Sequence, residues 1–284
     1  MSLAALQTCV ARLCVDESFR SLFSVDAERA LASYDLSARE RITVRQIDGT
    51  AIDRFAVLLK HKRRRLFASC YPLLFKITNR AMERYYDRYY QTFGSKPYPS
   101  AAERVADFGR FMEQALCSDT EVAVYAADIA RYERLAFATR AAAASAEHLH
   151  SRSSVDLSWD AHPAVCEGIQ VGTFEHDVVA LIASLTNDRP ADDWQRGQHC
   201  CVLQGLPARS ECRVLAVTPA AGALLGLCDG TRSTLEIVGE AGRGQLAPMT
   251  ASDVLHAMNQ FVTVGIVSYR PSEEQRRALA AAQP

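Results

Sequence analysis

The sequence has no apolar run approaching the ~18 residues that a membrane-spanning helix needs, although 49% of its 284 residues are hydrophobic. It has almost no net charge, −1 at neutral pH, so nothing pulls the chain as a whole toward nucleic acid or an anionic membrane. Its nine cysteines include no Cys-x-x-Cys and no pair of pairs at zinc spacing. Buried, reduced thiols are the simpler reading. His-Glu-x-x-His, a nucleophile elbow and a glycine-rich phosphate loop are all missing, and there is no internal repeat. Met1 to Val10 lack the cationic start of a secretory signal, so a cytoplasmic location is expected. These absences remove every self-contained catalytic constellation. They point to a binding or accessory protein, or to a subunit whose partner owns the chemistry.

What is present divides near residue 150. Residues 1–150 read as a helical domain. Leu3, Leu6, Val10 and Leu13 form one stripe at spacings of three and four. Ser37 with Glu40, and Ser100 with Glu103, have capping-box spacing. Ile52, Phe55, Leu59, Leu66 and Phe67 line a helix that stops before Pro72. One long helix is expected next, carrying Leu73, Leu74, Ile77, Met82, Tyr85 and Tyr89. Tyr85, Tyr86, Tyr89 and Tyr90 should divide between core and surface. Asp119 or Thr120 is expected to open a helix through Val122, Tyr125, Ile129 and Tyr132. The basic run Lys60 to Arg65 wraps round its helix and forms no clean groove-facing stripe. It suits a solvated face or a seat for an acidic partner surface.

After residue 150 the period changes. Ser153 to Trp159 alternates like a strand, as do Ile169, Val171 and Thr173. His162-Pro163 reads as a turn, and Asp177 as the cap of a short helix to Leu185. His199–Leu203 and Cys212–Thr218 are two more strands. Adjacent Cys200 and Cys201 should face opposite sides, which argues against a shared metal. His148 and His150 have metal-ligand spacing but no third partner in sequence.

The organising stretch is Leu224 to Ile237. A helix stops at Asp229-Gly230, Ser233 or Thr234 caps the next, and Leu235, Ile237 and Val238 give it an apolar face. A third helix follows, with Val254, Leu255, Met258, Phe261 and Val262 inward, ending at Gly265. Ile266 to Tyr269 is a short strand. Strand, helix, turn, helix, long helix, strand is a winged-helix order. The expected fold is α+β: a helical domain over 1–150, a winged-helix-like domain with a small antiparallel sheet over 151–271, and a tail over 272–284.

Leu215 to Val238 resembles the PqqD-like peptide-recognition element, a winged-helix domain that binds leader segments of ribosomally made, post-translationally modified peptides. The likeness rests on a strand, a helix ending in Asp229-Gly230, and Ser233 to Ile237 after it. It departs at Thr218-Pro219, where an Asn is common. The helical half resembles the partner subunits of multinuclear non-haem iron enzymes that modify peptide cysteines (the TglI and MbnC types). Phe19-Arg20, Tyr34 to Leu36, Arg39 to Arg41, Ile47-Asp48, Phe55 to Arg63, Tyr71-Pro72 and Tyr132-Glu133 carry it.

The resemblance implies a division of labour. An iron-bearing TIM-barrel partner would carry out oxidative chemistry on a cysteine of the precursor peptide. The 3-thiaglutamate type, excision of the β-carbon of a C-terminal cysteine, is favoured over oxazolone and thioamide formation of the methanobactin type. This chain would hold the leader, with no catalytic residue, metal or cofactor of its own. An extended peptide can add to an exposed strand edge. Cys212–Thr218 is that expected edge, with Arg213, Leu215 and Val217 on one side and Cys212, Val214 and Ala216 on the other. Val254, Ala257, Met258 and Phe261 are the expected groove wall, and Arg213 is the best residue to meet an acidic leader side chain. Lys60, Lys62, Arg63 and Arg64 are the expected partner-binding residues. The rival is a winged-helix transcription regulator whose helical half dimerises or senses. A DNA-reading helix needs basic side chains, and there is no Lys or Arg between Asp253 and Tyr269.

Overall fold

The computed structural model describes residues 3–145, 158–189, 194, 196–206, 211–243 and 249–270. The chain is α+β and forms two compact units, Met1–Ala130 and Arg131–Pro284. This division falls inside a helix, upstream of the boundary near residue 150 expected from the change of period.

The first unit contains α1 (Leu3–Val15), α2 (Glu17–Val25), α3 (Ala27–Leu31), α4 (Ala38–Arg45), α5 (Gly49–Cys70), α6 (Pro72–Thr78), α7 (Ala81–Phe93) and α8 (Ala101–Leu116). It ends with the first turn of α9 (Ala126–Ser145). The Ser37–Glu40 capping box is complete in both directions. At Ser100 the hydroxyl accepts from the Glu103 N–H at 3.2 Å. Cys9, Leu13, Phe19, Leu31, Val44 and Ile52 form one core cluster. A second centre is aromatic: Phe67 stacks on Phe108 at 4.1 Å between ring centroids, with Tyr71 edge-on at 5.6 Å. The buried Tyr71 hydroxyl donates to Val105 O at 2.7 Å. That bond removes the cost of burying an unsatisfied hydroxyl.

Three expectations for this unit need correction. The long helix after Pro72 is two helices, broken at Asn79, where φ is 38°; Asn is among the few residues that tolerate positive φ. Tyr85, Tyr86 and Tyr89 are all buried: Phe67 packs against Tyr86 and Tyr89 and Phe108 against Tyr89, while Arg84 lies over the Tyr85 ring. The helix expected from Asp119 begins only at Ala126. Asp119 instead accepts from Glu121 N at 2.8 Å, from Arg84 and from the Tyr85 hydroxyl, which locks a turn.

The second unit holds the rest of α9, then β1 (His162–Val165), β2 (Ile169–Phe174), α10 (Val178–Thr186), β3 (His199–Leu206) and β4 (Glu211–Val217). It continues with α11 (Pro219–Leu227), α12 (Thr234–Ala241), α13 (Ala251–Thr263) and β5 (Val267–Arg270). The order β2-β3-β4 makes a three-stranded antiparallel sheet, and β1 pairs with β5 in a separate ribbon. His162-Pro163 is therefore strand. Proline is tolerated near the start of so short a ribbon, where Pro163 lies opposite Tyr269. Of the strand expected over 153–159, residues 153–157 lie outside the described residues, and Ser158 and Trp159 are irregular. His148, His150 and residues 272–284 also lie outside them.

The pleat sorts the sheet's side chains onto two faces. On one, Ile169, Val202, Leu215 and Val217 join Leu224, Leu225, Ile237, Val254, Met258 and Phe261 in the main core. On the other, α9 crosses so closely that a Cβ on Gly205 would stand 2.5 Å from Ala143 Cβ and 2.9 Å from Thr139 O. Asp177 caps α10, accepting from Val179 N and Ala180 N at 3.1 Å. The α13 helix ends in a Schellman motif: Gly265 takes φ 74°, Ile266 N donates to Phe261 O at 2.8 Å, and Gly265 N donates to Val262 O at 3.0 Å.

Candidate functional site

The geometry converges on β4. Its register on β3 pairs Arg213 with Gln204, Val214 with Leu203, Leu215 with Val202, Ala216 with Cys201 and Val217 with Cys200. Paired residues share a face. Arg213, Leu215 and Val217 thus point toward the α11–α13 core, and Cys212, Val214 and Ala216 toward the face that carries α9. The strand is last in its sheet. Among the described residues its backbone makes no hydrogen bond to any other backbone segment than β3. Glu211, Arg213 and Ala216 are exposed, and Arg213 has no ion-pair partner among the described residues.

The expected groove wall lies elsewhere. Val254 and Met258 are 0% exposed and Phe261 6%, all within the main core, with Ala257 packed against it. They are core residues because the apolar stripe of α13 is spent on α12 and β5. The exposed face of α13 carries Ser252, Asp253, His256, Asn259 and Gln260, with no cation. The helix that packs beside β4 is α10. Between them lies a small cavity of about 110 Å³, lined by Val178, Val179, Cys201, Ala216, Val217 and Pro219, with Asp177, Gln198 and His199 at its polar margin. Burial pushes the Cys201 thiol up to about 12, with Cys200, Cys212 and Asp177 adding to the effect. Burial also pushes Cys200 up. Both sulfurs are protonated at neutral pH and behave as small apolar groups.

Sequence pattern did not place α10 beside β4 because Val178 to Leu185 is apolar nearly all round and so reads only as a buried helix. The one available signal was the position of that helix between two strands of one sheet.

Most of the basic run on α5 serves its own unit. Lys60 Nζ pairs with Asp87 at 2.5 Å and Arg64 with Glu83 at 3.2 Å. Arg63 donates to Gly94 O at 2.7 Å and lies over the Tyr90 ring. These three were expected to bind a partner, but α7 supplies the acidic and aromatic groups they need. Lys62 is exposed with no partner among the described residues. A larger surface cleft in this unit is lined by Arg84, Tyr85, Arg88, Asp119 and Glu121. Arg84 there already bonds both acids, at 2.6 and 2.7 Å.

Among the described residues no group of three or more His, Cys, Asp or Glu side chains is placed to hold a metal ion. No helix among them is long and apolar enough to cross a membrane. Burial holds Cys228 up to about 12 as well. The arrangement offers a strand edge with a pocket beside it. No protein-family model matches the chain, and no curated protein matches it in sequence.

Proposed function

We propose that the chain is the leader-binding, non-catalytic subunit of an oxidative peptide-modifying complex. It holds the leader of a ribosomally made precursor peptide and partners an iron-dependent TIM-barrel oxygenase acting on a peptide cysteine. Excision of the cysteine β-carbon is the preferred chemistry, ahead of oxazolone and thioamide formation. The observation that carries this reading is β4: an edge strand whose outer side has no backbone partner among the described residues. Strand addition there gives affinity through backbone bonds, each contributing about 1 kcal/mol net, and leaves selectivity to the side chains alongside.

The succession β4, α11, α12, α13, β5 is read as a PqqD-like winged helix, with the Asp229-Gly230 stop at its centre. Gly230 takes φ 80° there, and the Asp229 carboxylate, held down to about 2 chiefly by hydrogen bonds from Thr231, fixes the turn. The absence of Lys and Arg from α13 speaks against the DNA-reading alternative.

The test is to isolate the chain from its host with whatever it binds, measure iron, and identify peptides by mass spectrometry. The isolated enzyme and peptide are then recombined under oxygen. The expected result is an iron protein and a short cysteine-containing peptide, whose mass changes only when this chain is present. Recovery of a discrete DNA fragment without an iron protein would replace the proposal with the regulator reading.

A further inference from the structure

The groove that selects a strand added at β4 would be the one on the α10 side of the sheet, since α13 has no free apolar face. Ala216 is exposed and Val217 half-buried, and both line the cavity with Val178 and Val179 of α10. The cavity therefore borders an exposed part of β4. An apolar cavity of ~150 Å³ holds a benzene ring, so about 110 Å³ suits a smaller, branched aliphatic group. Its walls are mostly valine, alanine, proline and protonated thiol, and the Asp177 carboxylate at its margin already accepts from Val179 N and Ala180 N, so the interior favours an apolar side chain over a charged one.

A second feature fixes the spacing. Arg213 lies on the same strand, three residues from Ala216, with its side chain on the opposite face. It is exposed and has no ion-pair partner among the described residues. A peptide strand alternates its side chains between the same two faces. The residues opposite Ala216 and opposite Arg213 are then also three apart and on opposite faces.

We infer that β4 selects an extended peptide segment carrying a Val, Ile or Leu that enters the α10 cavity and, three residues away, an Asp or Glu that meets Arg213. This rests on the peptide-binding reading above and names the chemistry of its ligand. The direction of the added strand decides whether the acid precedes or follows the aliphatic residue.

The probe is a random peptide library of about twelve residues displayed on phage, panned against the intact chain. Enriched peptides are resynthesised with a fluorophore and titrated by anisotropy. The expected result is enrichment of an aliphatic residue three positions from an acid. Changing that aliphatic residue to Gly should weaken binding about tenfold or more. Ala216→Trp, which fills the cavity from the exposed strand, should do the same with an unaltered circular dichroism spectrum, and Arg213→Glu should shift selection toward Lys and Arg. His256→Ala, on the exposed face of α13, should bind as the parent does. Peptides that bind equally well after the Gly change and to a folded Ala216→Trp variant would overturn the α10 cavity while leaving peptide binding intact. If no sequence is enriched over phage without an insert, peptide binding itself fails and the inference falls with it.

Discussion

At β2, the first strand of the sheet, the Thr173 carbonyl accepts from Arg131 at 2.6 Å, and the Ile169 N–H donates back to Cys166 O at 3.2 Å. At β4, the last strand, no comparable bond is made among the described residues. An open sheet has two edges, each a template for another strand, and here the chain fastens one with its own groups, while among the described residues it adds none to the other. Helix placement follows the same asymmetry: α11 packs against β2 and β3, while α10 stands beside β4. The proposed function uses the edge that has an apolar pocket next to it.

The largest effect should come from α13. Met258→Ala removes a fully buried side chain from the core and is expected to cost about 2–5 kcal/mol, measured by urea unfolding. A stable Met258→Ala variant that has lost peptide binding would put α13 back as the wall and break the contrast with α10. Next, Gly205→Ala would force a Cβ against Ala143 and the backbone at Thr139. The expected cost is about 1–3 kcal/mol, and a smaller loss would mean that α9 does not hold down this face.

Burial on the sheet's two faces can also be probed by pH. Cys201 on one face and Cys228 on the other have an ordinary value of 9.0 and are held up to about 12 by burial. Below pH 9 folded and unfolded chains both keep these protons, and the thiols give no pH dependence. Above it the unfolded chain loses them first. Stability should therefore fall as pH rises from about 9 to 12, by about 1.4 kcal/mol per pH unit per thiol. Cys201→Ala and Cys228→Ala should each reduce that slope in denaturant titrations, and equal slopes would mean that the thiols are not desolvated. The smallest effects on stability belong to the edges. Arg131→Met should cost about 1 kcal/mol by loosening β2, and Arg213→Glu less than about 0.5 kcal/mol. Only Arg213→Glu should change affinity for an acidic peptide, a difference that titration and thermal melts measured side by side would reveal.

Much of the second unit was legible from local chemistry. Asp177, Ser233 and Thr250 cap the helices their spacing announces, and Gly265 closes α13 because a Schellman turn needs positive φ. The faces of β4 follow from the two-residue period alone. Less legible were features that depend on what packs against an element. Asn79 breaks a continuous apolar pattern by backbone conformation. Tyr85 and Tyr86, adjacent on one helix, are both buried because neighbours cover both sides. Lys60, Arg63 and Arg64 read as surface charge, yet α7 brings Asp87, Glu83 and Tyr90 to them.

The sequence by itself determined the caps at Ser37, Asp177 and Ser233, the stop at Gly265 and which side of β4 is apolar, since these depend on residues within a few positions of one another. Only the tertiary structure decided that α10 packs against β4, that β2 is fastened while the outer side of β4 makes no backbone bond among the described residues, and which cations already have partners. Those outcomes rest on contacts between residues far apart in the chain, and local periodicity carries no record of which surfaces will meet.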